Sequence, residues 1–90
     1  MMKEDVVLMQ VRAAGASHRF LVTGPVDERL RERGVSLADI RHALADARLC
    51  ITRDDGTFRV GGMDLDGSPL SLVVSLADGG TIVVVSEDGR

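Results

Sequence analysis

Aromatic side chains are almost missing from this 90-residue chain: Phe20 and Phe58 are the whole complement, with no Trp and no Tyr. A surface without rings lacks the platforms on which single-stranded nucleic acid stacks, and the core must be built from Val, Leu, Ile, Ala and Met. Cysteine is just as scarce. Cys50 stands alone, so neither a disulfide framework nor a thiolate cluster is available. With only His18 and His42 beside it, no zinc-ligand spacing can be assembled, and neither a metal nor a cofactor is expected. No apolar run approaches the roughly 20 residues of a membrane span. The opening Met1-Met2-Lys3-Glu4-Asp5 leads into a stretch too short and too mixed for a secretory signal. The expectation is a cytoplasmic protein.

What the chain has is an ordinary globular balance, 44% hydrophobic and 28% charged residues, which excludes a disordered segment. Residues 1–90 form one domain. A domain of this size buries only roughly 60–65% of the surface its unfolded chain exposes, so a homodimer or a partner would add to modest stability. Charge is uneven. Residues 1–47 balance, whereas residues 48–90 carry Arg48, Arg53, Arg59 and Arg90 against Asp54, Asp55, Asp64, Asp66, Asp78, Glu87 and Asp88. That half accounts for the net charge of −3, and an acidic surface repels phosphate backbones.

Periodicity divides the chain into a helical first half and a strand-rich second half. Lys3 to Ala14 is open between the two: Val6-Val7-Leu8-Met9 is β-rich, yet Val6, Met9 and Ala13 fall at helical spacing behind Glu4-Asp5, with Gly15 as the stop. The helical alternative is the better matched. His18 to Thr23 reads as a strand that Gly24-Pro25 ends. A short helix follows, with Pro25 in its first turn, Val26 stacked on Leu30, and Gly34 as a left-handed cap. Ser36, with Asp39 three residues on, starts a second helix whose apolar stripe is Leu37, Ile40, Leu44 and Ala47. From Arg48 the period is two. Asp54-Asp55-Gly56, Asp66-Gly67-Ser68-Pro69 and Asp78-Gly79-Gly80 are turns between strands. The apolar phase slips from even positions (Phe58, Val60) to odd ones (Met63, Leu65) across Gly61-Gly62, as a β-bulge would cause. Leu70, Leu72, Val74 and Leu76 alternate strictly, and Thr81 to Val85 is apolar on both faces, as in an interior strand. The fold class expected is α+β, with N-terminal helices packed on a twisted four-stranded antiparallel sheet.

Two stretches carry a resemblance. Thr23-Gly24-Pro25-Val26-Asp27-Glu28-Arg29-Leu30-Arg31-Glu32-Arg33-Gly34-Val35-Ser36 resembles the opening of a small bacterial domain family without an assigned function, grouped with the RelE/ParE/BrnT-like toxins. Its pattern is Thr-x-His-Ala-x-x-Arg-x-x-Glu-Arg-Gly-(Ile/Val)-Ser. Phe58 to Leu70, with Gly62-Met63-Asp64-Leu65-Asp66-Gly67 at its centre, is similar to that family's later acidic hairpin. The similarity covers residues 17–86. It implies a RelE-like fold and a bacterial toxin–antitoxin setting, with a cognate antitoxin as partner. The activity implied is metal-independent cleavage of messenger RNA on the ribosome. Arg29 and Arg33 match the family's arginines, but Pro25 stands where the family has histidine.

Metal-free RNA cleavage needs a base for the ribose 2′-hydroxyl, an acid for the leaving oxygen, and cations for the charged phosphorane. Arginine's fork suits the last task, and histidine is the side chain that titrates nearest neutrality. Arg29, Arg33 and Arg41, with His42 as base, are therefore the catalytic candidates. Set beside them is the plainer reading of a solvated helix face on which Arg29, Arg31 and Arg33 pair with Glu28 and Glu32. Asp64 and Asp66 fit a hairpin turn better than a metal pair, and Cys50 fits a small core residue. The low pI, the missing rings and the lack of a basic patch favour the alternative function, a non-catalytic protein-interaction module that kept the fold.

Overall fold

The computed structural model describes residues 3–87. Helix α1 (Glu4–Ser17) opens the chain, followed by β1 (Phe20–Val22), α2 (Gly24–Glu32) and α3 (Leu37–Ala45). Strands β2 (Leu49–Thr52), β3 (Phe58–Met63) and β4 (Pro69–Leu76), a single 3-10 turn (Asp78–Gly80) and β5 (Ile82–Glu87) complete it. The open segment at the start is helical. Val7, Val11 and Ala14 are buried on one face at the i, i+4, i+7 spacing a helix needs, and Glu4 and Asp5 lie in its positive first turn.

Gly15 is not its stop. The helix runs on to Ser17, and His18 makes the left-handed cap with φ 60°. Gly15 serves instead as the crossing point with α3: a Cβ built there would lie 2.4 Å from the Ala45 backbone nitrogen. Gly34 does close α2 as expected, with φ +80° and its N–H donated to the Arg31 carbonyl. Ser36 and Asp39 form a full reciprocal capping box at the head of α3. In the α3 stripe Ile40, Leu44 and Ala47 are buried, but Leu37 is exposed and Ala43 lies buried beside the others. Ala43 owes its burial to the sheet below, at Gly62.

The sheet has five strands in the order β1-β5-β4-β3-β2. The expected antiparallel meander is there as β2 through β5, but β1 joins it alongside β5 in parallel, so the sheet is mixed and not four-stranded antiparallel. The intervening helices carry the chain back so that the first strand lies beside the last. β5 is thereby interior, as its two apolar faces require. Cys50, Phe58, Val60, Leu70, Leu72, Val74, Ile82 and Val84 form one face of the sheet and pack with Val7, Val11, Val26, Leu30, Ile40 and Leu44 in a single cluster. Each fully buried Val, Leu or Ile contributes about 1.5–3 kcal/mol. All three described helices cover this face.

Gly61-Gly62 is not a bulge. The β3–β4 ladder runs through it without a break, Gly61 opposite Ser71 and Gly62 opposite Leu70. Gly62 lies on the helix side, where a Cβ would sit 2.1 Å from the Ala43 carbonyl oxygen. The missing side chain lets α3 descend onto β3, and the phase slip in the sequence reflects an empty core position. The register break is in β5. Val84 pairs with Val74, but Ser86 pairs with Val73, leaving Val85 as the extra residue of a bulge. A bulge re-aims the side chains beyond it. Here it brings Glu87 opposite Leu72, on the helix side, where its 7% exposed carboxylate is ion-paired to Arg33.

Candidate functional site

The four candidate residues divide between two helices that stand on different strands. Arg29 lies in α2 and Arg33 at its C-cap, and α2 packs on β5; Arg41 and His42 belong to α3, whose main strand contact is β3. Since β3 and β5 are separated by β4, the two groups stand over strands about 10 Å apart at ordinary strand spacing. Arg33 is engaged by Glu87. The side chains of Arg29 and Arg41 are exposed and make no hydrogen bond or ion pair among the described residues. Arg31 pairs along the helix with Asp27 at 3.1 Å and not with Glu28 or Glu32, whereas Arg33 looks across to the sheet.

His42 has a defined orientation. Its Nδ1 lies 2.7 Å from the Met63 carbonyl oxygen. A carbonyl only accepts, so Nδ1 carries the proton and donates it, and in the neutral ring Nε2 is the acceptor. One turn earlier on the same helix, the Asp39 carboxylate accepts the Leu65 N–H at 3.0 Å. Asp39 and His42 thus grip the β3–β4 hairpin on either side of Asp64. That turn is further organised by the Asp64 carboxylate, which accepts the N–H groups of Asp66 and Ser68 at 2.9 and 2.8 Å. The Asp64–Asp66 pair is a turn device, as its sequence suggested. The hairpin clasp had no signal in the sequence beyond the capping-box spacing of Asp39.

Hydrogen bonding sets the electrostatics of these groups. The Ser36 N–H, then the Leu65 N–H and the Ser36 hydroxyl, hold the Asp39 carboxyl below its ordinary value, and His42 adds a smaller pull. Glu4 is lowered by accepting the Thr52 N–H, and Asp55 by the Thr57 hydroxyl and N–H. Burial pushes the Cys50 thiol up and the nearby Glu4 carboxylate pushes it further, which fits an inert core residue and not a nucleophile. A shallow surface hollow at the β2–β3 turn is lined by Arg53, Asp54 and Asp55. Among the described residues no group of three His, Cys, Asp or Glu side chains is placed to hold a metal ion. Among the described residues no helix is long and apolar enough to cross a membrane.

The largest feature the sequence did not announce is the other face of the sheet. Register places Leu21, Leu49, Ile51, Arg59, Gly61, Met63, Ser71, Val73, Ser75, Val83 and Ser86 opposite the helix side, and no helix covers it. Leu21 is 63% exposed, Leu49 42% and Ile51 37%. Val73, in the middle, is buried by its neighbours although it lies outside the core cluster. Arg59 is the single charged residue that the described strands place there, in a chain that is 28% charged. Of the described acidic residues in the strand-rich half, Asp54, Asp55, Asp64, Asp66 and Asp78 sit in turns, and Glu87 lies in β5 on the helix side. Alternation in β4 had marked Ser71, Val73 and Ser75 as the second face, but an uncovered apolar face cannot be told from a covered one by period alone. No protein-family model matches the chain, and no curated protein matches it.

Proposed function

We propose that the chain is a RelE-like, toxin-type domain that acts by binding a partner protein, and that it carries little or no nuclease chemistry of its own. The observation that supports this is the uncovered sheet face, with Leu21, Leu49 and Ile51 exposed on its edge strands and Gly61, Ser71, Ser75 and Arg59 around Val73 between them. Patches of this kind mark interaction sites in soluble proteins. The three helices on one side of the sheet agree with what the resemblance to RelE-like toxins implies, and a cognate antitoxin is the partner it names. The candidate cations argue against catalysis. They stand on two separate helices, and Arg33 is committed to Glu87, whereas a phosphorane needs its cations converged on one point.

The test is capture of a partner from the native host by tagged wild-type chain, Ile51→Asp and Arg29→Ala, each checked for folding by circular dichroism. A partner held by the wild type and Arg29→Ala, but lost from Ile51→Asp, is the expected result. Retention by Ile51→Asp refutes the assignment of the sheet face.

One observation favours the second reading, a metal-independent endoribonuclease. The Met63 carbonyl fixes His42 so that Nε2 faces outward as an acceptor, which is the form a general base requires. In such a reaction Nε2 would take the 2′-hydroxyl proton while the 2′-oxygen attacks phosphorus and the 5′-oxygen leaves. Arg41, the next residue on the helix, would be the cation. Growth arrest on induced expression, together with RNA cleavage in a chelator that is lost in both His42→Ala and Arg41→Ala, would establish it. Unimpaired growth with soluble folded protein is the outcome that the partner-binding reading expects.

A further inference from the structure

The two edges of the sheet are finished differently. On β2, the Arg53 N–H bonds the Thr57 carbonyl, so by the alternation of an antiparallel ladder Ile51 also bonds inward to β3, and Cys50 and Thr52 point their backbone groups outward. α1 closes that edge. Glu4 accepts the Thr52 N–H at 2.6 Å, Arg12 donates to the Ala47 carbonyl at 2.7 Å just before the strand, and Cys50 is buried. Charged side chains laid along an edge are a standard guard against pairing with another chain.

β1 has no such guard. The Thr23 N–H bonds the Val84 carbonyl and the Ile82 N–H bonds the Arg19 carbonyl, so Arg19, Leu21 and Thr23 use their backbone groups on β5. Phe20 and Val22 direct theirs outward, and no side chain among the described residues takes them. Leu21 lies between them, 63% exposed on the uncovered face.

We infer that β1 is a self-pairing edge, on which a second copy of this chain adds its own β1 antiparallel about a two-fold axis through Leu21. The arrangement is self-complementary. Phe20 of one copy and Val22 of the other become a hydrogen-bonded pair, twice over, giving four backbone bonds and two joined sheets. Leu21 meets Leu21 of the second copy in the close, non-hydrogen-bonded position, covering the most exposed apolar side chain of the sheet. Arg19 falls across from Thr23, so no like charges oppose each other along the strand. A guarded edge at one side and a bare, symmetric one at the other select this partner over a second β2. The strand is short, so the association is weak and concentration-dependent, below the interface size of permanent dimers. It uses the β1 edge, with Leu21 at the margin of the broad face assigned above to a partner protein, and it stands if that assignment fails.

Sedimentation at submillimolar concentration should show the mass of two chains for the wild type and of one chain for Leu21→Lys, with identical circular dichroism. In a Cys50→Ala background, mild oxidation should join Leu21→Cys into a covalent dimer. The Cα atoms of such a pair lie about 4.5 Å apart, within disulfide reach. Leu49→Cys, on the same face but on the guarded edge strand, should stay monomeric. If Cys50→Ala impairs folding, the same two variants in the wild-type background, where Cys50 is buried, give the same comparison. A single-chain mass for the wild type, a double mass that survives Leu21→Lys, or equal cross-linking of the two cysteine variants would overturn the proposal.

Discussion

The arginines of α2 separate most clearly one residue at a time. Arg29 and Arg33 are alike in sequence, one turn apart and matched to the same motif, yet Arg33 alone holds a shielded carboxylate, Glu87. Removing one partner of such a pair leaves a charge with little water around it, so Arg33→Ala should cost about 1–2 kcal/mol. Arg29→Ala should stay within about 0.5 kcal/mol of wild type, and thermal melts compare the two directly. Equal effects would mean that the Val85 bulge does not deliver Glu87 to Arg33. Glycines divide the same way. Gly62→Ala drives a Cβ into the Ala43 carbonyl and Gly15→Ala into the Ala45 backbone, which should cost about 3 kcal/mol or more. Gly24, with nothing near its added Cβ, should accept alanine within about 0.5 kcal/mol.

Among the elements, α3 with the hairpin it grips is the most dependent on ionisation. Asp39 titrates below its ordinary value when folded, so in acid the unfolded chain binds more protons and the native state loses ground. Its contribution is complete above about pH 4 and is lost as pH falls through the folded value; Glu4 and Asp55 act in the same sense. An acid titration of Tm should therefore decline for the wild type and decline less steeply for Asp39→Asn, whose stability at neutral pH should already be lower. Ser36→Ala should cost about 1 kcal/mol through the same cap. Much of this element was legible, because the capping box and the Ile40, Leu44, Ala47 spacing are local patterns. β4 and the turns were legible for the same reason. The parallel docking of β1, the hairpin clasp by His42 and the Val85 bulge were not, since each depends on what lies opposite in space. The bulge was doubly hidden: Ile82 to Val85 is apolar at every position, so a change of phase leaves no trace. The paired glycines misled because an empty core position and an inserted residue shift the apolar period alike.

At the scale of the molecule, the described acidic side chains lie in the helices, in the turns and at Glu87 on the helix side, and a nearly uncharged sheet face remains opposite the helices. That distribution predicts weak, salt-insensitive interaction with RNA, which a binding titration across ionic strength would show; a steep salt dependence would signal phosphate contacts instead. Arg29, Arg41 and His42 lie on helices as the sequence indicated, with Arg33 at a helix end, but their separation onto two strands was beyond it. The pairing of β1 with β5 also governs how the molecule comes to be folded. Phe20 meets Ile82 only after most of the described chain has been brought into one loop, and closing that loop costs entropy before any contact rewards it. The β2–β4 meander, made of near neighbours, forms without that delay. Lesions in the meander, such as Val60→Ala or Leu72→Ala, should slow refolding, whereas Val22→Ala should chiefly hasten unfolding. The bare edge of the sheet is then the last part to be made and the first to open.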